Sequence, residues 1–180
     1  MRTLLIAEIH KDNAWLDEWV RHHLEFGISD IMLFDTNVGK EDYPMSDYII
    51  SMCSTKKIKI KNFRNQKISM QIELSKFDWN QYDYVFWLNI NEYIESKMYD
   101  NINDALKDED TNLLLRIYPY KIENGSKKLD TKNFYAYGER TLNKSNNTTC
   151  EFTNKLYIEK FPNRTEEEWK KYILVKNERS

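Results

Sequence analysis

Polar side chains follow three short apolar segments of this chain, each at the point where the apolar run stops. Carboxylate, amide, amine and imidazole groups of this kind bind ligands when a fold brings them to one place. Strand ends are also commonly polar because the chain turns there, so a single such residue is weak evidence for a site. Their repetition after three separate runs favours one shared ligand site. The residues are Glu8, His10, Lys11 and Asp12 after the first run, Asp35, Thr36 and Asn37 after the second, and Asn89, Asn91 and Glu92 after the third.

The elements that must position these side chains can be predicted from the spacing of apolar residues. The runs Thr3–Ala7, Asp30–Phe34 and Tyr84–Leu88 are typical of buried strands. Between the first two, apolar residues recur every three or four positions from Leu16 onward, which predicts an amphipathic helix that Gly27 ends. Strands that alternate with helices predict a mostly parallel sheet, and such sheets bind ligands beyond the carboxyl ends of their strands. The polar residues are therefore expected to meet at one sheet edge.

The rest of the chain predicts further strands and three more helices. The second half is richer in strands, with a turn at Asn124-Gly125, and its last helix begins with a capping box made by Thr165 and Glu168. One segment is ambiguous, since the apolar residues of 68–79 fit both periods, and the need for a crossover before the next strand favours a helix. The predicted strands are Lys57–Phe63, Leu113–Tyr118, Phe134–Tyr137 and Leu156–Ile158, and the predicted helices are Ile68–Trp79, Asp100–Lys107 and a C-terminal helix after Pro162.

The composition narrows the classes of function. The 180 residues suffice for one domain with a core, and 27 basic against 29 acidic residues argue against a nucleic-acid binder. Two cysteines, Cys53 and Cys150, cannot form a disulfide framework or a structural zinc site on their own. No apolar stretch approaches the roughly 18 residues of a membrane span, and the first apolar run is too short for a secretion signal. We therefore expect a cytoplasmic protein, with peripheral association with a membrane left open.

Two segments of the first half carry residues at characteristic spacings. Residues 7–37 contain Glu18, Trp19, His23 and Gly27 in the predicted helix and Asp35 and Asn37 after the next strand, and residues 82–93 contain Asn89, Asn91 and Glu92. These segments resemble the helix signature Glu-Trp-x-x-x-His-x-x-x-Gly, the strand end Tyr-Asp-Asn and the later segment Asp-Trp-x-x-x-x-Asp-x-Asp-Glu-Phe of glycosyltransferases of the family 2 and family 92 type. The resemblance covers roughly the first 95 residues and is loose beyond them.

The resemblance implies an α/β fold, a GT-A-like nucleotide-binding sandwich with a mostly parallel central sheet and a smaller strand-rich second half. It implies a single domain over residues 1–180, with 1–95 as the nucleotide-binding half and 96–180 as a reduced acceptor-side half. The expected reaction moves a sugar from a nucleotide-sugar donor, expected to be UDP-linked, to an acceptor hydroxyl in polysaccharide or glycoconjugate synthesis. The expected partners are therefore the nucleotide-sugar and a glycan acceptor, and the oligomeric state is not predicted.

The resemblance also assigns roles to single residues. Glu8, Lys11, Asp35 and Asn37 are expected to bind the nucleotide, against the alternatives of strand-end solvation and an Asx-type turn. Glu139 is the candidate for the base that accepts the proton of the acceptor hydroxyl, on its acidic type and a loose similarity of its segment.

His23 matches a position of the family's helix signature. It also lies on the apolar face of the predicted helix, which favours a hydrogen-bonded core histidine over a catalytic one. We therefore do not include it among the candidate site residues.

The chain departs from the family where a metal ion is expected. Family members hold a divalent cation, Mn²⁺ or Mg²⁺, with two aspartates, and this chain has Asn89 and Asn91 in their place. An amide oxygen can ligate a hard cation but brings no charge, and only Glu92 remains as a carboxylate. The expectation is weak or absent metal binding by these three residues. Three outcomes follow: weak metal use, neutralisation of the diphosphate by Lys or Arg instead, or a non-catalytic protein that binds nucleotide, glycan or a protein partner.

Overall fold

One twisted sheet joins the strands of the computed structural model, which describes residues 1–10, 13–36, 45–63, 67–132, 138–144 and 146–179. The strands are β1 (Thr3–Ile9), β2 (Asp30–Asp35), β3 (Ile58–Asn62), β4 (Tyr84–Trp87), β5 (Glu92–Glu95), β6 (Asn112–Glu123), β7 (Ser126–Leu129), β8 (Gly138–Lys144), β9 (Cys150–Phe152) and β10 (Tyr157–Lys160). The helices are α1 (Asn13–Glu25), α2 (Asp47–Ser54), α3 (Lys67–Lys76), α4 (Ile102–Leu106) and α5 (Glu166–Arg179), with a 3-10 turn at Trp79–Gln81.

The order of strands in the sheet is β3-β2-β1-β4-β8-β6-β10-β5, and β7 and β9 add to β6. The first four strands are parallel to one another, β8 runs antiparallel between β4 and β6, and β10 is parallel to β6. The predicted fold class, an α/β protein with a mostly parallel sheet and a strand-rich second half, is thereby confirmed. Ile9 pairs with Asp35 and Ile6 with Trp87, so β1, β2 and β4 end at the same edge.

Alternate residues of β1 contribute to two apolar layers. Leu5 and Ile9 face a large core shared with α1, whereas Leu4 and Ile6 face a smaller core that includes Met70 of α3. This alternation follows from the two-residue period of a strand. Helices on both faces therefore bury the first half of the sheet, which makes its carboxyl edge a rigid base for the polar residues beyond it.

Most local elements agree with the sequence predictions. The predicted helix is α1, and Gly27 follows it with a φ of 97°, a conformation that favours glycine. The ambiguous segment is helical as α3, and the capping box is present, because Thr165 Oγ1 accepts from the Glu168 amide at 3.2 Å. None of the described helices is long and apolar enough to cross a membrane.

Several elements were not predicted. They include α2, β5 and β7. The turn at Asn124-Gly125 joins β6 directly to β7, with Glu123 opposite Ser126, because both turn residues adopt positive φ and close a two-residue hairpin. The predicted strand Phe134–Tyr137 lies outside the described residues.

Candidate functional site

A cleft of about 400 Å³ opens at the carboxyl edge of β1 and β4. We call it the edge cleft. Its wall also includes the segment that precedes α5, which brings a distant part of the chain to the sheet edge. The wall residues that matter for its chemistry are Glu8, His10, Trp15, Asn89, Asn91 and Arg164.

The structure brings together several of the residues expected to bind nucleotide. Glu8 lies in the wall of the edge cleft, and Thr36 Oγ1 donates to its Oε1 at 2.9 Å and to the Ile9 carbonyl at 3.0 Å. Asp35 is only 4% exposed and lies one strand further along the same edge, opposite Ile9. Lys11 and Asn37 lie outside the described residues. The predicted convergence at one edge is thus present for Glu8 and Asn91, whereas the nucleotide-binding roles stay predictions.

The Glu92 carboxylate lies fully buried at the base of the turn between β4 and β5. Arg140 forms a bidentate pair with it, from Nε to Oε2 at 3.1 Å and from Nη2 to Oε1 at 2.8 Å. Lys160 Nζ lies 3.3 Å from Oε1, and the main-chain N–H of Asn89 donates to Oε2 at 3.1 Å. Two cations therefore neutralise this carboxylate, and its hydrogen bonds hold the Asn89–Glu92 turn in shape.

Asn89, Asn91 and Glu92 are a poor ligand set for a divalent cation. Hard cations bind best to several oxygen ligands that carry negative charge, and the one carboxylate here is already paired with both Arg140 and Lys160. Within the described part of the chain, no three His, Cys, Asp or Glu side chains are grouped so as to hold a metal ion. The metal-ligand roles expected for these three residues therefore stay predictions, and no step of the chemistry below depends on a metal.

Asn91 carries a polar atom that the protein leaves unsatisfied. Its main-chain carbonyl accepts from the Phe161 amide at 2.9 Å, which fixes the residue in place. Its side-chain Oδ1 is buried and has no hydrogen-bond partner among the described residues. A buried acceptor without a partner costs about 1–3 kcal/mol. Asn91 is also a wall residue of the edge cleft.

Arg164 supplies a positive charge to the same wall. Its Nη1 donates to the Tyr93 hydroxyl at 2.9 Å and its Nη2 to the Ile90 carbonyl at 3.0 Å. The guanidinium carbon lies 4.4 Å from the ring centroid of Trp15 and 4.3 Å from that of Trp169. Burial raises the pKa of Tyr93 to about 12, partly offset by Arg164, so the tyrosine stays protonated. Two of the five donors of the guanidinium are used in this way, and the group is held rigidly at the cleft.

The local sequence around Arg164 did not predict that this residue lies in the wall of the edge cleft. Its position depends on two tryptophans that lie far from each other in the chain, so only the folded structure identifies it.

Glu139 lies outside the edge cleft. It is exposed on β8 opposite Arg116 of β6, and lines a second groove with Arg116 and Tyr118. Its neighbour Arg140 points to the other face of the strand and meets Glu92. The role of Glu139 as acceptor-side base stays a prediction, now placed at this second groove.

His23 is a core residue, as its position on the apolar helix face predicted. It is fully buried, its Nδ1 lies 2.8 Å from the Trp19 carbonyl, and the Ile94 amide donates to its Nε2 at 3.2 Å. Since Nε2 accepts, the proton is on Nδ1 and the ring is neutral. Burial, with a smaller contribution from His22, holds the pKa of His23 well below its usual value.

Comparisons with known proteins identify the fold. No protein-family model and no curated protein sequence matches the chain. Among solved structures, the chain is similar to GalNAc-T7 with UDP, GalNAc and Mn²⁺, at 10% identity and a TM-score of 0.55, over 98% of this chain and 48% of that one. It is also similar to residues 1–349 of S. aureus TarS, at 9% identity and a TM-score of 0.44, over 66% of this chain and 36% of TarS. The chain thus spans less than half the length of these proteins, and its fold is that of the GT-A-type glycosyltransferases.

Proposed function

We propose that the edge cleft binds the diphosphate and sugar of a nucleotide-sugar donor, and that the chain transfers this sugar to an acceptor hydroxyl. The main support for the proposal is that one cleft at the carboxyl edge of the sheet has in its wall both Asn91, whose Oδ1 is unsatisfied, and the Arg164 cation. This is the edge at which parallel sheets bind their ligands. The similarity to GalNAc-T7 supports a UDP-linked donor, and polysaccharide or glycoconjugate synthesis is the process proposed from the sequence resemblance.

The chemistry assigned to each residue follows from charge and hydrogen bonding. When the bond between the anomeric carbon and the diphosphate breaks, the leaving group gains negative charge, and Arg164 offsets it through its remaining N–H donors. Asn91 Oδ1 accepts a hydrogen bond from a donor hydroxyl. In a single displacement, the acceptor oxygen bonds to the anomeric carbon, the diphosphate leaves, and the hydroxyl proton passes to a base, for which Glu139 is the candidate.

The division into a nucleotide-binding half, residues 1–95, and a reduced acceptor-side half, residues 96–180, stays a prediction. Residues 1–95 supply Glu8 and Asn91 to the edge cleft, and residues 96–180 supply Arg164. In our proposal both halves therefore build the donor site.

The proposal is tested by calorimetric titration with a panel of nucleotide-sugars in EDTA, followed by an assay for nucleotide release with acceptors. We expect Arg164→Ala to weaken donor binding at least tenfold and Arg164→Lys to restore part of it, because lysine keeps the charge but loses the fork geometry. Arg179→Ala, at an exposed position of α5, is the matched control. Unchanged donor affinity in a folded Arg164→Ala variant would overturn the assignment, as would no binding to any nucleotide-sugar.

A second candidate function is binding of nucleotide or glycan without turnover. It is supported by Glu92, because the one carboxylate of the turn is already paired with two cations and the other two positions are asparagines. Nucleotide release above background in the presence of acceptor would exclude this candidate. Donor binding with no release under any metal condition would favour it.

A further inference from the structure

Another groove, of about 680 Å³, lies beside the groove that contains Glu139, on the face of β6 and β10 that points away from the main core. We call it the outer groove. Along β6, Leu115 and Ile117 are buried in the core, so the alternate residues Arg116 and Tyr118 face the opposite side. The wall residues used below are Lys97, Arg116, Tyr118, Phe152 and Tyr157.

Aromatic rings make up much of this groove. Tyr118 and Tyr157 pack edge to face with centroids 5.9 Å apart, and the Phe152 side chain is 56% exposed. An exposed aromatic surface inside a concave groove is typical of a binding site rather than of ordinary protein surface. Flat rings beside polar groups suit a ligand that is itself both apolar and polar. A saccharide is such a ligand, because a sugar ring has one face of C–H groups and a rim of hydroxyls.

Two cations lie over these rings. The Arg116 guanidinium carbon is 5.6 Å from the Phe152 ring centroid, and Lys97 Nζ is 6.0 Å from that of Tyr157. The described wall of the outer groove contains no Asp or Glu side chain. Burial, with the charge of Glu159 as a smaller cause, raises the pKa of the Tyr157 hydroxyl, which stays protonated and donates to Glu159 Oε1 at 3.3 Å. The groove thus offers the positive charges of Arg116 and Lys97, which complement an anionic group on the ligand.

The outer groove continues into the smaller groove that contains Glu139, because Arg116 and Tyr118 line both. Glu139 lies on β8 opposite Arg116. A saccharide lying in the outer groove can therefore extend to Glu139, the candidate base.

We propose that the outer groove binds the acceptor, an acidic saccharide chain carrying carboxylate, sulfate or phosphate groups. Its sugar rings stack on Tyr118, Phe152 and Tyr157, its anionic groups pair with Arg116 and Lys97, and its accepting end lies at Glu139. The assignment of this ligand as the acceptor rests on the proposed transferase function, whereas its binding to the groove can be measured without a donor.

The test measures binding of the purified chain to arrayed acidic oligosaccharides, matched neutral oligosaccharides and poly-glutamate, followed by calorimetry with the strongest acidic binder. We expect binding to acidic saccharides, at least tenfold weaker in Arg116→Ala and in Tyr118→Ala. Lys171→Ala, at an exposed position of α5, is the charge-matched control. Circular dichroism and thermal unfolding establish that each variant is folded, and Arg116→Lys keeps the test informative if Arg116→Ala does not fold.

Three results would overturn the inference: no binding to any acidic saccharide, equal binding by the groove variants, or equal binding to neutral saccharides or poly-glutamate. Donor titrations on the same samples separate the two proposals. Groove-dependent saccharide binding without any nucleotide-sugar binding would overturn the proposed transferase function and leave the groove as a saccharide site. Donor binding and turnover that are insensitive to the groove variants would overturn only the groove.

Discussion

The cluster around Glu92 and the edge cleft beside Asn91 are adjacent in the chain and differ in how their polar atoms are satisfied. Both oxygens of Glu92 are bonded, to Arg140, Lys160 and Asn89. Asn91 Oδ1, from the preceding residue, is buried without a partner among the described residues. The carboxylate, which by residue type looked more suited to bind a cation, is part of the scaffold, and the amide is the group that we propose contacts the ligand.

The comparison teaches that residue type alone does not separate structural from ligand-binding groups. A buried charge persists only where counter-charges and hydrogen bonds surround it, and such a group has little capacity left for a ligand. An unsatisfied buried acceptor destabilises the protein by about 1–3 kcal/mol, and such an atom on a residue of a cleft wall is a candidate contact for a ligand.

The largest effect is expected from removing Glu92. Glu92→Ala leaves Arg140 and Lys160 facing each other without their shared carboxylate and releases the Asn89 turn. We expect the free energy of unfolding to fall by about 3 kcal/mol, measured by urea denaturation, because an ion pair loses one buried partner. Glu139→Ala, at an exposed position, serves as the control and should change stability by under about 0.5 kcal/mol. A loss below about 1 kcal/mol for Glu92→Ala would mean that this cluster is not part of the scaffold.

A nearly equal effect is expected from acid, through His22 and His23, whose neutral forms are favoured by burial. Burial lowers the pKa of His22 to about 4, against an ordinary value of 6.5, and holds that of His23 well below its ordinary value. Between pH 6.5 and pH 4 the unfolded chain binds protons that the folded chain excludes, so the free energy of unfolding falls as the pH falls through this range. For His22 alone the free energy of unfolding falls by about 3 kcal/mol. Above pH 6.5 His22 makes no contribution to the pH dependence.

The measurement is a urea unfolding series from pH 7 to pH 4 on the wild-type chain and on His22→Gln. Burial raises the pKa values of Glu18, Glu95 and Glu159, and these groups act in the opposite direction. The difference between the two profiles removes their shared contribution. Parallel profiles would show that His22 is not held neutral by the fold.

A smaller effect is expected when carboxylates are restored at the turn. Asn89→Asp combined with Asn91→Asp should raise the affinity for Mn²⁺ at least tenfold, about 1.4 kcal/mol, because two charges are added beside the cleft. Calorimetric titration of Mn²⁺ into both proteins checks this, with Asn103→Asp on α4 as the control. Unchanged affinity would mean that the turn does not face a cation position.

The smallest effect is expected from Asn91→Ala. Removing an unsatisfied buried oxygen should leave stability unchanged or raise it by about 1 kcal/mol, in contrast to Glu92→Ala, while donor binding weakens several-fold. Denaturation and donor titration on the same variant check the two halves of this prediction. A marked loss of stability would indicate that Asn91 is a structural residue like its neighbour.

The local structure of the first half could be predicted because it follows from short-range periodicity. The apolar spacing from Leu16 identified α1, and the apolar runs identified β1, β2 and β4. β7 and α2 were missed, because β7 is exposed throughout and has no apolar alternation, and α2 has one fully buried residue, Ile49. In those segments the structure depends on pairing with β6 and packing on β3, which no local pattern records.

The candidate site divides in the same way. The sequence by itself predicted that Glu8 and Asn91 would meet at one edge, because parallel strands end together and carry the residues that follow them to the same side. Only the tertiary structure decided that Glu92 is neutralised, that Asn91 Oδ1 is unsatisfied and that Arg164 lies between Trp15 and Trp169. The physical reason is that burial and partnership are set by side chains that arrive from distant parts of the chain, and the spacing of residues along one segment carries no record of them.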